Sequence, residues 1–378
     1  MPFEILVSIQ ELKPVAIFSK FELLIFIMTE VPKKKLAFFL IASTLTITFI
    51  FYGYQIFFTP NILLDKEDRV FTIRSGATFR KVQQDLGKGE FVNDLVSFSF
   101  LARLYDYDKH ITPGRFLLRR NMTNTEAIRV LQSGKEQTVK VTFTNVRLLD
   151  ELSEKITKNI GVSPTEFNEA LDDFLSDNKE GFTRENVIGM FLPNTYEVYY
   201  NVLPDELISR MLSEYKKFWN DERLAKAKAI GLTPKEISTL ASIVQAESVK
   251  AIEAPIIAGL YINRLKKDIP LQADPTLVFA SGDFTLKRVL NEHKQVDSPY
   301  NTYKYAGLPP GPINMPQIGT IDAVLNYQKH NYIYMCAKED FSGNHNFATT
   351  LTEHNKNARK YQDALTIEMR KGAAKKAK

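Results

Sequence analysis

Glu247 is the residue of this sequence best suited to acid–base chemistry. It closes the segment Thr233-Pro-Lys-Glu-Ile-Ser-Thr-Leu-Ala-Ser-Ile-Val-Gln-Ala-Glu247. With 3.6 residues per turn, Ile237, Leu240, Ala241 and Val244 share one apolar face, and Glu247 falls on its border. A carboxyl group there loses hydration, which penalises its charged form and raises its pKa. It then holds a proton near neutral pH, as a general acid must. Position 245 is glutamine, so no second carboxylate stands two residues earlier on this helix. A solitary glutamate in a helix is ordinarily a boundary residue paired with a lysine, and only its surroundings argue for more.

Those surroundings are three loops rich in polar, aromatic and Pro/Gly residues: Gln272-Ala-Asp-Pro-Thr276, Asp297-Ser-Pro-Tyr-Asn-Thr-Tyr303 and Gly307-Leu-Pro-Pro-Gly-Pro-Ile313. Tyrosine rings pack on pyranose faces while amides and hydroxyls read sugar hydroxyl and N-acetyl groups. Gln272, Asp274, Tyr300, Asn301 and Tyr303 are therefore the candidate contacts for a neutral polyhydroxylated ligand. Asp274 is also the best second carboxylate, and the proline after it predicts an extended or turn conformation. Rigid turns with no ligand are the plainer reading of the same loops. His345 and His354 carry less weight, since a lone histidine is more often structural. No histidine pair has the His-Glu-x-x-His spacing of a zinc site, and no Gly-rich phosphate loop is present. Neither a metal nor a cofactor is expected.

Several elements must hold these residues. Thr233 as N-cap, Pro234 at the first helical position and Glu236 completing a capping box define where the Glu247 helix starts. Asn263-Arg-Leu265 ends a helix that begins near Pro255. Leu148, Leu152 and Ile156 form another helical stripe, read as core. Earlier in the chain, Arg69–Arg74 alternates like a strand, and Phe79, Val82 and Leu86 mark a helix. Phe98, Leu101 and Leu104 mark a second helix, Gly114–Arg119 a second strand, and Thr125–Leu131 a third helix closed by Ser133-Gly134.

Leu36 to Phe58 carries no formal charge. About 20 apolar residues cross a bilayer core, so this run can span one. Lys33-Lys34-Lys35 precedes it, which by the positive-inside rule puts the N-terminus in the cytoplasm and the rest outside. A cleaved signal peptide would have a shorter apolar stretch ending in small residues. Met28-Thr-Glu-Val-Pro-Lys-Lys-Lys makes the more ordinary beginning of such a protein, so residues 1–27 are read as a mis-assigned start. The whole chain is 378 residues with 49 basic and 44 acidic side chains, a net charge of +5. That excess is too weak to point to nucleic acid. The single Cys336 excludes an intramolecular disulfide and any multi-cysteine metal site.

The ordered segments ASIVQAES (241–248), NRL (263–265), LQADPT (271–276), SPYNTY (298–303), GLPPGPI (307–313), HNF (345–347) and LTEHN (351–355) resemble the YceG/MltG family of membrane-bound endolytic murein transglycosylases. The resemblance implies an α+β protein. Its parts would be a cytoplasmic segment 1–35, a transmembrane helix 36–58, a linker 59–68, a LysM-like module 69–140, a catalytic module 141–365 with a lysozyme-like acid-bearing helix, and a basic tail 366–378. It implies a cytoplasmic-membrane lyase whose partners are the membrane, peptidoglycan glycan strands and peptidoglycan synthases. Glu247 corresponds to the family's essential glutamate. The family often carries Glu-x-Glu here, and Gln245 departs from that pattern. Glu247 would protonate the glycosidic oxygen, and the muramoyl C6 hydroxyl would close a 1,6-anhydro ring. Two other readings stay open: a tethered glycan-binding scaffold without activity, and a hydrolytic muramidase using Asp274.

Overall fold

An uncharged run in a membrane must satisfy its backbone internally, and Lys33–Phe58 forms one long helix, α1. The computed structural model describes residues 32–134, 137–247, 250–286 and 289–376, with side chains through Lys371. Residues 1–27, read above as a mis-assigned start, lie outside the described residues. The most apolar stretch of helix α1 has a mean hydropathy of 2.0, and none of that stretch is buried in protein, unlike the core helix of a soluble domain. Its threonines turn their hydroxyls inward: Thr44, Thr46 and Thr48 donate to the carbonyls of Leu40, Ala42 and Thr44. This length and composition suffice to cross a membrane.

The chain divides into two compact units. The first runs to Thr112 and resumes over Phe116–Lys135. It holds α1, β1 (Pro60–Ile62), β2 (Arg69–Ile73), α2 (Phe79–Lys88), α3 (Leu95–Leu104), β3 (Gly114–Leu118), β4 (Met122–Thr123) and α4 (Asn124–Gln132). Strand β2 pairs with β3, and β1 with β4. Thr123 and Glu126 cap α4 reciprocally. Phe98, Leu101, Phe116, Leu118, Ile128 and Leu131 are fully enclosed. Leu104, expected in the same stripe, is instead exposed at the last residue of α3.

The second unit contains Pro113–Arg115 and the chain from Glu136 onward. Strand β5 (Thr138–Phe143) pairs antiparallel with β6 (Asn194–Tyr199) in full register. Around them run α5 (Leu149–Thr157), α6 (Pro164–Ser176), α7 (Pro204–Phe218), α8 (Asp221–Ile230), α9 (Pro234–Glu247), α10 (Ala254–Lys266), α11 (Asp274–Ser281) and α12 (Ile318–Leu325). The hairpin β7 (Tyr334–Ala337) and β8 (His345–Ala348) follows, then α13 (Leu351–Lys376). The fold is thus mixed α+β. The basic C-terminal stretch continues α13 as helix to Lys376.

Helix α9 begins as its sequence dictates: the Glu236 carboxylate accepts the Thr233 N–H at 2.7 Å, and Thr233 Oγ1 accepts the Glu236 N–H at 3.3 Å. It packs against α8, α10, α11 and α12, so burial surrounds it rather than following one stripe. Ser238, Thr239 and Ser242 are as buried as Ile237 and Leu240. Two of these hydroxyls are satisfied within the helix, Thr239 donating to the Lys235 carbonyl and Ser242 to that of Thr239. Ser242 Oγ also accepts the Ile313 N–H at 3.0 Å, which ties the 307–313 loop to α9. Gly311 in that loop has no room for a side chain, because a Cβ would lie 1.9 Å from the Glu185 carbonyl.

Candidate active site

Glu247 is the last described residue of α9 and is half-buried. It lines a cavity of about 330 Å³ with Tyr261, Arg264, Gln272, Asp274 and Tyr303. Tyr334, Cys336 and His345 from the β7–β8 hairpin and His354 from α13 form another wall. Desolvation, then the negative charge of Asp274, push the Glu247 carboxyl up from 4.5 to about 7. Opposing this, the Tyr261 hydroxyl donates to Glu247 Oε1 at 3.2 Å, and the backbone amide of Asp274 faces the same carboxyl group. The group can therefore donate a proton near neutral pH and, once ionised, is held by two donors.

Asp274 is exposed and opens α11, with Pro275 in the first turn. The extended conformation expected from the following proline is not adopted. A proline in a first helical turn forfeits no hydrogen bond, and the helix starts directly there. The Tyr303 hydroxyl donates to Asp274 Oδ1 at 2.6 Å. Burial first, and then this bond, raise the Tyr303 pKa far above its ordinary range, so the hydroxyl stays a donor.

Arg264 fixes the cavity floor. It is almost fully buried, and it donates to Pro270 O (2.9 Å), Ile333 O (2.6 Å) and Gln272 Oε1 (2.7 Å). Gln272 adopts a left-handed backbone, φ +52°, a conformation that costs a non-glycine residue about 1 kcal/mol or more. The Arg264 bond and the N–H of Gln272 to Thr302 O at 3.0 Å hold it there.

The sequence-predicted contacts separate into two groups. Gln272, Asp274 and Tyr303 converge with Glu247. Tyr300 and Asn301 do not line this cavity. The Tyr300 ring packs on Phe279 at 4.6 Å and its hydroxyl donates to Glu185 O. Asn301 is wholly buried: its amide donates to Lys294 O and Val296 O, and its oxygen accepts the N–H groups of Tyr303 and Lys304. Its hydrogen-bonding capacity is spent on the loop. A second cavity of about 540 Å³ adjoins Gln245, Ala246, Pro275 and Phe279.

Residues 71–360 match the model of the YceG-like family. The chain belongs to that family. Among its relatives, an endolytic murein transglycosylase of Streptococcus pneumoniae is 25% identical over 340 residues, 81% of this chain and 61% of that protein. One from Bacillus subtilis is 28% identical over 305 residues, 76% of this chain and 83% of that one. The chain thus spans about 61% of the length of the pneumococcal relative. The crystal structure of a yceG-like protein from Listeria monocytogenes is 26% identical, with a TM-score of 0.51, over 77% of this chain and 98% of that one.

In this YceG-like chain, sequence reasoning passed over Tyr261 and Arg264 as site residues. Both lie in a largely apolar helix, and a buried phenol and guanidinium three residues apart need partners. That need was the available signal. Gln245 is occupied structurally: its amide donates to Asn314 Oδ1 and Met315 O, and its oxygen accepts the Gln317 N–H at 2.6 Å. His345 Nδ1 lies 3.0 Å from Oε2 of the buried Glu253, behind the cavity wall that His345 lines.

Proposed function

We propose that this protein is a membrane-anchored lytic transglycosylase that cuts peptidoglycan glycan strands with Glu247 as its single acid–base group. The observation that carries this reading is the half-buried Glu247 carboxyl, raised to about 7 in a cavity shared with Tyr261, Gln272, Asp274 and Tyr303. Glu247 protonates the oxygen between N-acetylmuramic acid and N-acetylglucosamine. The resulting carboxylate takes the proton of the muramoyl C6 hydroxyl, which attacks the anomeric carbon and leaves a 1,6-anhydro end without consuming water. Tyr261 and the Asp274 amide hold the carboxylate between these transfers, and Gln272 and Tyr303 contact the sugar.

Helix α1 anchors the chain in the cytoplasmic membrane, with Lys33–Lys35 inside and both units outside. The first unit is a LysM-like module, and the anchor keeps the enzyme beside newly made strands and their synthases. The location of Asp274 in the same cavity favours one second reading, a muramidase in which Asp274 serves a water nucleophile. Mass spectrometry of glycan strands digested by the full chain separates the two. Anhydro ends support the transglycosylase and reducing ends the muramidase. Glu247→Gln, nearly isosteric, should lower cleavage about 100-fold or more. Retained cleavage refutes the assignment of the acid.

A further inference from the structure

Helix α3 carries a face that the other described residues of its unit leave open. Val96, Phe100 and Leu104 recur every four residues and are 73%, 55% and 56% exposed, with Tyr105 beside them at 37%. They line a shallow, largely apolar concavity of about 760 Å³ together with Leu95 and Arg103. The opposite face, Phe98, Leu101 and Ala102, fills the core. Three such side chains offer about 300–450 Å², the size of the largest apolar patch on an ordinary monomer, which is often functional, and well short of the roughly 800 Å² per partner of a stable dimer.

The position of this face relative to α1 names its occupant. The last turn of α1 enters the core of the unit directly through Ile56 and Phe57. Asn124 Nδ2 donates to Ile56 O at 3.2 Å and to Ser97 Oγ at 3.1 Å, in the first turn of α3. Asn61 Nδ2 donates to the Asp94 carbonyl at 2.8 Å. No free linker separates the span from the module. Helix α3 has 10 residues, about 15 Å at 1.5 Å per residue, so all of it stays close to the end of α1. Tyr52 and Tyr54, exposed near that end, suit the aromatic belt of the headgroup layer.

The geometry points to the Val96–Phe100–Leu104 face as a second membrane contact, lying in the outer headgroup layer beside the span while Arg103 reaches lipid phosphates. This inference rests on α1 being a membrane anchor. Such a contact fixes the rotation of the first unit about α1, which a single helix cannot do.

The test uses the full chain in nanodiscs of phosphatidylethanolamine and phosphatidylglycerol. Spin labels are placed at single cysteines 46, 96, 100, 104 and 222 in a Cys336→Ser background. Accessibility to oxygen, which partitions into lipid, is compared with accessibility to a water-soluble nickel chelate. Position 46 should report the bilayer interior and Glu222, 72% exposed, bulk water. Labels at 100 and 104 should show an oxygen-to-nickel ratio several-fold above that at 222. A water-like ratio at 100 and 104 with a lipid-like one at 46 overturns this inference and leaves the anchor standing. A water-like ratio at 46 overturns the anchor itself. Labels at 100 and 104 shielded from both reagents mean a protein partner covers the face, which also refutes the membrane contact.

Discussion

Glu247→Gln should stabilise the protein above neutral pH and leave it unchanged in acid. The wild-type carboxyl is raised from 4.5 to about 7, a difference of roughly 2.5 pH units. At about 1.4 kcal/mol per unit, ionised Glu247 costs the folded state about 3.5 kcal/mol. The group is only half-buried at the edge of an open cavity, so screening trims this to about 1–3 kcal/mol. Below pH 4 the carboxyl is protonated in folded and unfolded chains alike and resembles glutamine. As pH rises through 4.5 the unfolded chain releases its proton while the folded chain retains it, so wild-type stability falls until about pH 7 and is then constant. Glutamine has no such dependence, and its oxygen still accepts the Tyr261 hydroxyl. The difference between variant and wild type should therefore be near zero at pH 4 and reach about 1–3 kcal/mol at pH 8.5. Trp219 is the only tryptophan of the chain and is buried in the same unit as Glu247, so denaturant unfolding followed by its fluorescence reports the right transition. A difference that does not vary with pH would refute the reasoning, because it would mean Glu247 ionises as freely folded as unfolded.

The cavity neighbours should move the pH profile in opposite directions. Tyr261→Phe removes a donor to the charged form, so the alkaline limb of cleavage should shift upward by about half to one pH unit. Asp274→Asn removes the neighbouring negative charge, so that limb should shift downward by a similar amount; both are read from cleavage rates between pH 5 and 9. Gln245→Glu leaves Met315 O and Asn314 Oδ1 facing a carboxylate, and should cost about 1–3 kcal/mol of unfolding free energy at pH 8. The loss should be smaller at pH 4, where a protonated carboxyl regains one donor.

What the sequence disclosed was local. The capping box Thr233–Glu236 announces the start of α9 within four residues, and every atom involved belongs to that segment. The border position that periodicity gave Glu247 has no counterpart in a helix buried on all sides; what leaves Glu247 half-buried is its place in the last turn. Tyr261 was not legible, because it meets Glu247 only through the packing of α10 on α9, a tertiary fact with no sequence signature beyond a phenol in a largely apolar helix. The β7–β8 wall was hidden for the same reason. Asn301 is the reverse case. Its amide in an aromatic loop reads as a ligand group, yet asparagine in turns commonly bonds its own backbone, and all four of its bonds do so. Leu104 obeyed the helical period of Phe98 and Leu101, but at the end of α3 none of the described elements covers it.

The direction of α9 adds a cause that no single neighbour supplies. Thr233 fixes the helix N-terminus, so Glu247 stands at the opposite end, where unpaired carbonyls concentrate negative partial charge. An ionised carboxylate there is disfavoured in addition to its desolvation. Asp274 opens α11, and its amide, at the positive end of a second helix, is one of the two donors turned toward Glu247. Two helix ends of opposite sign therefore meet at the acid, one resisting its charge and the other accepting it once formed. A group balanced in this way can release and recover a proton with little movement of the protein. It follows that removing Tyr261 or Asp274 tunes the acid, whereas unravelling the last turn of α9 would release Glu247 to water and restore an ordinary glutamate.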